Sequence, residues 1–234
     1  MDDEGAERQR VAGVYRRYAD DARFGKKWDA TNPGNLAIER ERNEVLRARL
    51  AAHGLWPLGA SRIADIGCGN GGFLAELVRW GAPPREIVGV DVLADRLAKA
   101  RSASSAYLVN ADARSIPLRD ASVRLAVAFT LFSSVLDDRY ALAIARELER
   151  ILEPDGAVVW YDYRVSDPRN NDTRALRRRD IEELFPRFHL DVRAVTLVPQ
   201  LARRLGPATS TAYRALTRLP LLRTHYAGLI VKRR

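Results

Sequence analysis

The stretch Asp65-Ile66-Gly67-Cys68-Gly69-Asn70-Gly71-Gly72 decides the fold. It follows the short run Ser-Arg-Ile-Ala-Asp-Ile at 61–66, which reads as a strand ending at glycines. It leads into a helix over 72–80, stopped by Gly81 with Pro83-Pro84 beyond. Gly67 permits a tight turn, and Gly69 lets a ligand approach bare backbone. Gly67, Gly69 and Gly72 also fit G-x-G-x-x-G, the dinucleotide pattern, which carries little weight alone.

Outward from this loop, strands and helices alternate. Residues 86–91 read as a second strand, 94–102 as a helix, 105–109 as a third strand and 123–130 as a fourth. Residues 138–152 place Leu142, Ala145, Leu148 and Leu152 on one helical face. Glu153-Pro154-Asp155-Gly156 reads as a turn before a fifth strand over 157–163. Upstream, 5–19 and 36–53 read as helices around a turn at 29–35. Such alternation predicts a mainly parallel sheet covered on both faces, with ligands outside the carboxyl ends of its strands.

Three carboxylates stand at those ends. Asp65 lies two residues before Gly67, where it repels a pyrophosphate but favours a cation. That separates a dinucleotide from S-adenosylmethionine, which carries a sulfonium and an ammonium. Asp91 ends the second strand, where a carboxylate accepts from ribose hydroxyls. Asp112 follows the third strand and suits an exocyclic adenine amine; each Asp alone also suits a cap or turn.

With those residues in place the sequence resembles the class I (Rossmann-like) S-adenosylmethionine-dependent methyltransferases, of the broad small-molecule type 11 group. The matching segments are Asp65 to Gly71, Asp91, Asp112-Ala113, the strand ending at Phe129, and Leu152 to Ala157. The resemblance implies a seven-stranded, mostly parallel sheet whose last strand is antiparallel, with helices on both faces. It implies S-adenosylmethionine as cofactor. Asp65, Gly67 and Gly69 would hold the methionine part, Asp91 the ribose, and Asp112 with Ala113 the adenine; Cys68 and Val92 would also touch the cofactor, with a backbone contact near Phe129. Helices before the glycine loop often close over the cofactor in this family, which brings in Tyr18 and Trp28.

Many relatives carry a histidine pair after the fourth strand; Ser133 and Ser134 stand there instead. The family topology puts the sixth strand at 190–198 and the seventh at 225–232. An antiparallel strand begins where its parallel neighbours end. His225 therefore falls on the ligand face, beside Asp162 and Tyr163 at the end of the fifth strand, and these three are the acid–base candidates. The chain reads as one domain over 1–234, with a helical cap (1–58), a cofactor-binding core (60–163) and acceptor-side loops with the last strands (164–234).

Composition narrows the partners. The 234 residues are 47% hydrophobic, enough for a core. No run is long and apolar enough to span a bilayer, the acidic start lacks a signal-peptide pattern, and the one cysteine permits neither an internal disulfide nor a zinc cluster. A cytoplasmic protein with no metal is expected. Residues 1–160 hold 23 Lys/Arg and 23 Asp/Glu, whereas 161–234 hold 16 and 7, so the net charge of +9 sits in the last third. Arginines outnumber lysines 35 to 4, as a GC-rich genome would give, so the excess reads either as composition or as attraction to an anion. The leading expectation is O-methylation of a small molecule or a sugar hydroxyl in bacterial secondary metabolism or surface-glycan assembly, with an anionic or lipid-linked acceptor in view. An RNA methyltransferase, an N-methyltransferase of a small amine, a cofactor-binding protein without catalysis and a nicotinamide enzyme stand beside it. Nucleic acid is disfavoured, because no RNA-binding module is appended.

Overall fold

A computed structural model of the chain describes residues 3–21, 29–167 and 169–233. Among these, seven strands form one sheet: β1 (Ile63–Ile66), β2 (Ile87–Asp91), β3 (Tyr107–Asn110), β4 (Val123–Phe129), β5 (Leu152–Tyr163), β6 (Phe188–Leu197) and β7 (Arg223–Lys232). Their spatial order is β3-β2-β1-β4-β5-β7-β6. β7 runs antiparallel to both β5 and β6, and the remaining pairings are parallel. The expected sheet, with its reversed last strand, is the observed one. β1 is buried along its whole length because helices cover both faces, which is why it reads as a continuous run rather than an alternation.

Two apolar layers sandwich the sheet. On one side, α5 (Asp138–Ile151) buries Ala141, Ile144, Ala145, Leu148 and Ile151 against Trp160 and Phe132, and the short α6 (Arg178–Leu184) adds Ile181. Asp137 caps α5 by accepting from the Tyr140 amide at 2.7 Å. On the other side, α2 (Pro33–Ala52) and α3 (Gly72–Arg79) bury Leu46, Leu50, Leu74 and Leu77. Each such leucine contributes about 1.5–3 kcal/mol by leaving water. β5 alternates between the layers: Val158 and Trp160 face α5, whereas Val159 and Tyr161 face α2.

Two departures from the sequence reading occur here. Glu153 to Gly156 is not a separate turn but an irregularity inside β5. Val123 pairs with Leu152 and Leu125 with Ala157, so β5 carries extra residues against β4, a bulge that the Pro-Asp-Gly chemistry accommodates. The connection 199–224 is not a free loop: α7 (Pro199–Arg204) and α8 (Thr209–Leu216) form a third small apolar cluster against α2, including Leu197, Ala202 and Tyr213. Gly34 makes that contact possible, because a Cβ there would meet the Ala202 carbonyl and the Arg203 amide. Among the described residues, no helix is long and apolar enough to cross a membrane.

Candidate active site

The glycine loop turns as the sequence requires. Gly67, Gly69 and Gly71 all have positive φ (76°, 55° and 80°), a conformation other residues adopt at a cost. The amides of Gly67 and Cys68 both donate to the Val90 carbonyl, at 2.8 and 3.0 Å, which ties the loop to β2. Asp91 closes the structure: its Oδ2 accepts from the Gly69 amide (2.8 Å) and its Oδ1 from the Leu93 amide (2.9 Å). Beside it opens a first cleft of about 730 Å³, lined by Gly67, Asp91, Val92, Ala113 and Phe129 at the carboxyl ends of the strands. α1 (Asp3–Asp20) lies across it and contributes Val11 and Tyr15. Glu7 accepts from the Leu136 amide, and Arg10 donates to the Ser134 carbonyl, so α1 is pinned over the cleft from the β4 side.

Asp65 sits at the end of β1, almost wholly buried, with no hydrogen-bond partner for its carboxyl among the described residues. Burial raises its pKa to about 7, helped by the nearby charge of Asp91 and opposed by Arg42. A buried carboxyl pair beside bare backbone is a poor seat for a phosphate and a good one for a cation. Cys68 turns its sulfur into the core toward Gly89, and burial pushes its thiol pKa up, so only its backbone belongs to the loop.

Two expected positions have other partners, and a third is not among the described residues. Asp112 is taken by Arg114, which donates from its amide (2.9 Å) and guanidinium (3.0 Å), and by the Tyr140 hydroxyl (3.0 Å). These contacts hold its pKa low against the opposing effect of burial, and its neighbours Ala111 and Ala113, with Tyr140, form the wall instead. Tyr18 lies one turn beyond Tyr15 and bonds Asn170 and Asp172 (3.2 and 3.3 Å), so Tyr15 is the aromatic over the cleft. Trp28 lies outside the described residues.

Phe129 and Thr130 also border a second cleft of about 760 Å³ between the sheet, α2 and α7. His225 and Tyr163 line it as the reversed β7 demands, since Tyr163 pairs with His225 across the sheet. The imidazole stacks on Tyr161 (4.7 Å between centroids), and its Nδ1 lies 2.9 Å from the Thr224 hydroxyl. Burial, and secondarily Arg42, lowers the His225 pKa to about 3. The ring stays neutral: it accepts a hydrogen bond readily and holds a proton poorly. Burial also raises the Tyr163 phenol.

Asp162 is not in this cleft. Strand alternation turns it to the α5 side, where it accepts from the amides of Phe132 (3.0 Å), Ser133 (3.1 Å) and Tyr163 (2.8 Å). It braces the loop after β4 and has no route to a substrate in either cleft. Burial still raises its pKa to about 6, against those amides.

Sequence reasoning missed one wall. Asn35, Ile38, Glu39 and Arg42 lie at i, i+3, i+4 and i+7 on α2 and all face the second cleft. Two non-glycine residues with positive φ, Thr130 (47°) and Thr196 (66°), also line it. Thr196 is held there by Glu41, which accepts from its amide at 2.8 Å, and by a 2.9 Å contact to the Tyr161 hydroxyl. Strain of this kind, of order 1–3 kcal/mol, persists where the surroundings impose it and concentrates at functional sites.

Residues 63–156, which hold the glycine loop and all three strand-end aspartates, match the family model of a methyltransferase domain. Residues 63–156 thus carry a methyltransferase domain, set in the seven-stranded sheet described above. S-adenosylmethionine fits the first cleft as methyl donor: Gly67 and Asp91 line it, and the buried Asp65 lies two residues before Gly67. No curated protein matches the chain. Solved structures share the fold at low identity. A 1,6-didemethyltoxoflavin-N1-methyltransferase from Burkholderia thailandensis, with bound 1,6-didemethyltoxoflavin and S-adenosylhomocysteine, is 15% identical with a TM-score of 0.62, covering 99% of this chain and 90% of its own. An S-adenosylmethionine-dependent methyltransferase from Archaeoglobus fulgidus is 17% identical, TM-score 0.58, covering 91% and 100%. One from Mesorhizobium loti is 21% identical, TM-score 0.56, covering 79% and 95%.

Proposed function

We propose that this methyltransferase domain transfers the methyl group to an oxygen of a small molecule, or of a sugar at the end of a glycan, held in the second cleft. The observation that carries the reading is the shared border at Phe129 and Thr130, which brings an occupant of the second cleft to the end of the first. When bound, S-adenosylmethionine supplies a methyl on a sulfonium, ready for displacement by a nucleophile in line with the bond that breaks. In this reading Asp65 faces the cationic end, the backbone of Gly67, Cys68 and Gly69 seats the methionine part, and Asp91 with Val92 meets the ribose through lone pairs its own loop leaves free. The adenine lies against Ala111, Ala113 and Phe129, while Asp112 stiffens that wall through Arg114 and Tyr140. Neutral His225 and the Tyr163 hydroxyl orient the acceptor, and the neighbouring rings exclude water, so alignment supplies most of the rate.

The three-part division at 1–58, 60–163 and 164–234 belongs to the same proposal, as does a cytoplasmic setting in bacterial secondary metabolism or surface-glycan assembly. Its support is that α2 walls the second cleft from one part, and α7 and β7 wall it from another. The test is transfer of a deuterated methyl from S-adenosylmethionine to a panel of hydroxylated small molecules and sugars, read by mass spectrometry. Products methylated on oxygen are expected. Transfer confined to amines, or to RNA, would overturn the acceptor assignment.

A further inference from the structure

The second cleft contains a cation that the proposed transfer has not used. Arg42 reaches from α2 to the floor of the cleft, and its guanidinium carbon lies 5.1 Å from the Phe129 ring centre, 5.5 Å from Tyr161 and 5.4 Å from Phe73. Its Nε donates to the Asn43 side chain at 3.0 Å. Its two terminal nitrogens have no hydrogen-bond acceptor among the described residues. Glu39, Glu76 and Asp65 act on it only at a distance. Of these, Glu76 is engaged by Asn43, Arg79 and Trp80, and Glu39 is exposed at the cleft's rim. A guanidinium half-buried among three rings, with two terminal nitrogens that meet no acceptor among the described residues, offers paired donors to an anion entering the cleft. A second guanidinium, Arg203 on α7, lines the same cleft and is set by a 3.0 Å bond from its Nε to Asn35.

His225 points the same way. The Arg42 charge adds to burial in opposing its protonation, so the cleft is hostile to the proton a neutral alcohol must give up. A nucleophile that arrives already ionised needs no base at all.

Resting on the assignment of the second cleft to the acceptor, we propose that the acceptor is an organic acid: an apolar or aromatic body carrying a carboxylate or an acidic phenolate, gripped by Arg42 with Arg203 on the opposite wall. The oxyanion is the nucleophile. Its O–C bond forms as the C–S bond of the donor breaks, the electron pair goes to sulfur, and the two opposite charges cancel. No proton moves. The product is a methyl ester or methyl ether with S-adenosylhomocysteine. Guanidinium geometry suits this role, since its paired donors match a carboxylate.

The test is calorimetry at pH 8 on the S-adenosylhomocysteine-bound protein, with benzoate and 4-nitrophenolate as anionic probes and benzamide as the neutral shape match. At least one anion should bind tenfold or more tightly than benzamide. Arg42→Gln should erase that preference and Arg42→Lys should restore part of it. Affinity for S-adenosylhomocysteine, measured first on each variant, should stay within a few-fold of the parent and certifies the fold. Failure of both anions to bind more tightly than benzamide in the parent protein, or an anion preference that survives Arg42→Gln, would each overturn the proposal. Such a result leaves methyl transfer to a neutral hydroxyl standing, because the probes bind without turnover.

Discussion

Replacing Asp162 by asparagine separates a brace from a catalyst. In the folded chain one carboxylate oxygen accepts from two buried amides, Phe132 and Ser133, and the other from Tyr163. In Asp162→Asn the carbonyl keeps the first two as neutral bonds, and the new amino group confronts the Tyr163 amide, donor against donor. Orphaning a buried amide costs roughly 1–3 kcal/mol. Relief of a buried charge offsets the weakening of the other two bonds, which leaves a loss of about 2 kcal/mol, or a fall in Tm of about 4–8 °C for a chain of this size. Asp162→Ala orphans all three amides at roughly 1–3 kcal/mol each, a large part of the stability of an ordinary domain. The assays are thermal unfolding, S-adenosylmethionine binding and turnover. The asparagine protein should melt earlier, yet keep turnover once folded within a few-fold of the parent. Unchanged melting together with a hundredfold or greater loss of turnover would refute the brace and return Asp162 to the chemistry.

Three further outcomes follow from the site. Asp91→Ala removes the acceptor for Gly69 and Leu93, and should weaken S-adenosylmethionine binding at least tenfold, about 1.4 kcal/mol; parent-like affinity in a titration would take Asp91 off the ribose. Asp65 has a folded pKa of about 7, above its unfolded value, so it lowers the stability of the unliganded domain as pH rises from about 4 to 7. A bound sulfonium favours the ionised form, so affinity for S-adenosylmethionine should fall by several-fold, and at most about tenfold, from pH 7 to pH 6. Asp65→Asn should flatten that profile, and a flat profile in the parent protein would contradict the assignment. Gly34→Ala pushes a methyl into the backbone of α7 and should cost roughly 1–3 kcal/mol. It displaces Arg203 while leaving the first cleft alone, so acceptor affinity should drop with S-adenosylmethionine affinity intact in paired titrations; equal losses for both would mean the helix contact supports the whole domain.

The order of strands was readable because each feature that sets it is local. Glycines, a stop before Pro83-Pro84 and apolar runs of strand length mark the units, and parallel pairing follows from their alternation. The reversed β7, and with it His225 in the cleft, came from the family resemblance rather than from any local signal. Side-chain surroundings were not legible where a competitor lay nearby. Asp112 has Arg114 two residues away and Tyr140 across the sheet edge, and sequence gives no measure of that competition. Tyr15 and Tyr18 share an apolar stripe, and only packing decides which covers the cleft. Asp162 sits one step from Tyr163, and a step of one on a strand changes faces. Arg42 was invisible because a charge in a charged helix reads as solvated; the spacing 35, 38, 39, 42 marks a face without saying that rings enclose it.

The reversed strand has a consequence for how the chain assembles during synthesis. β5 and β6 are not neighbours; β7 lies between them and joins both, with Asp162 paired to Tyr226 and Ala194 to that same Tyr226. β1 to β4, which frame the cofactor cleft, lie earlier in the chain and pair among themselves before β7 exists. A nascent chain can thus complete the donor side while the acceptor side still has an open seam, its two flanking edges waiting for one strand. Closing that seam over so long a separation is the slow, low-probability event. The last strand of the sheet to leave the ribosome is then also the one that brings His225 to the wall of the second cleft.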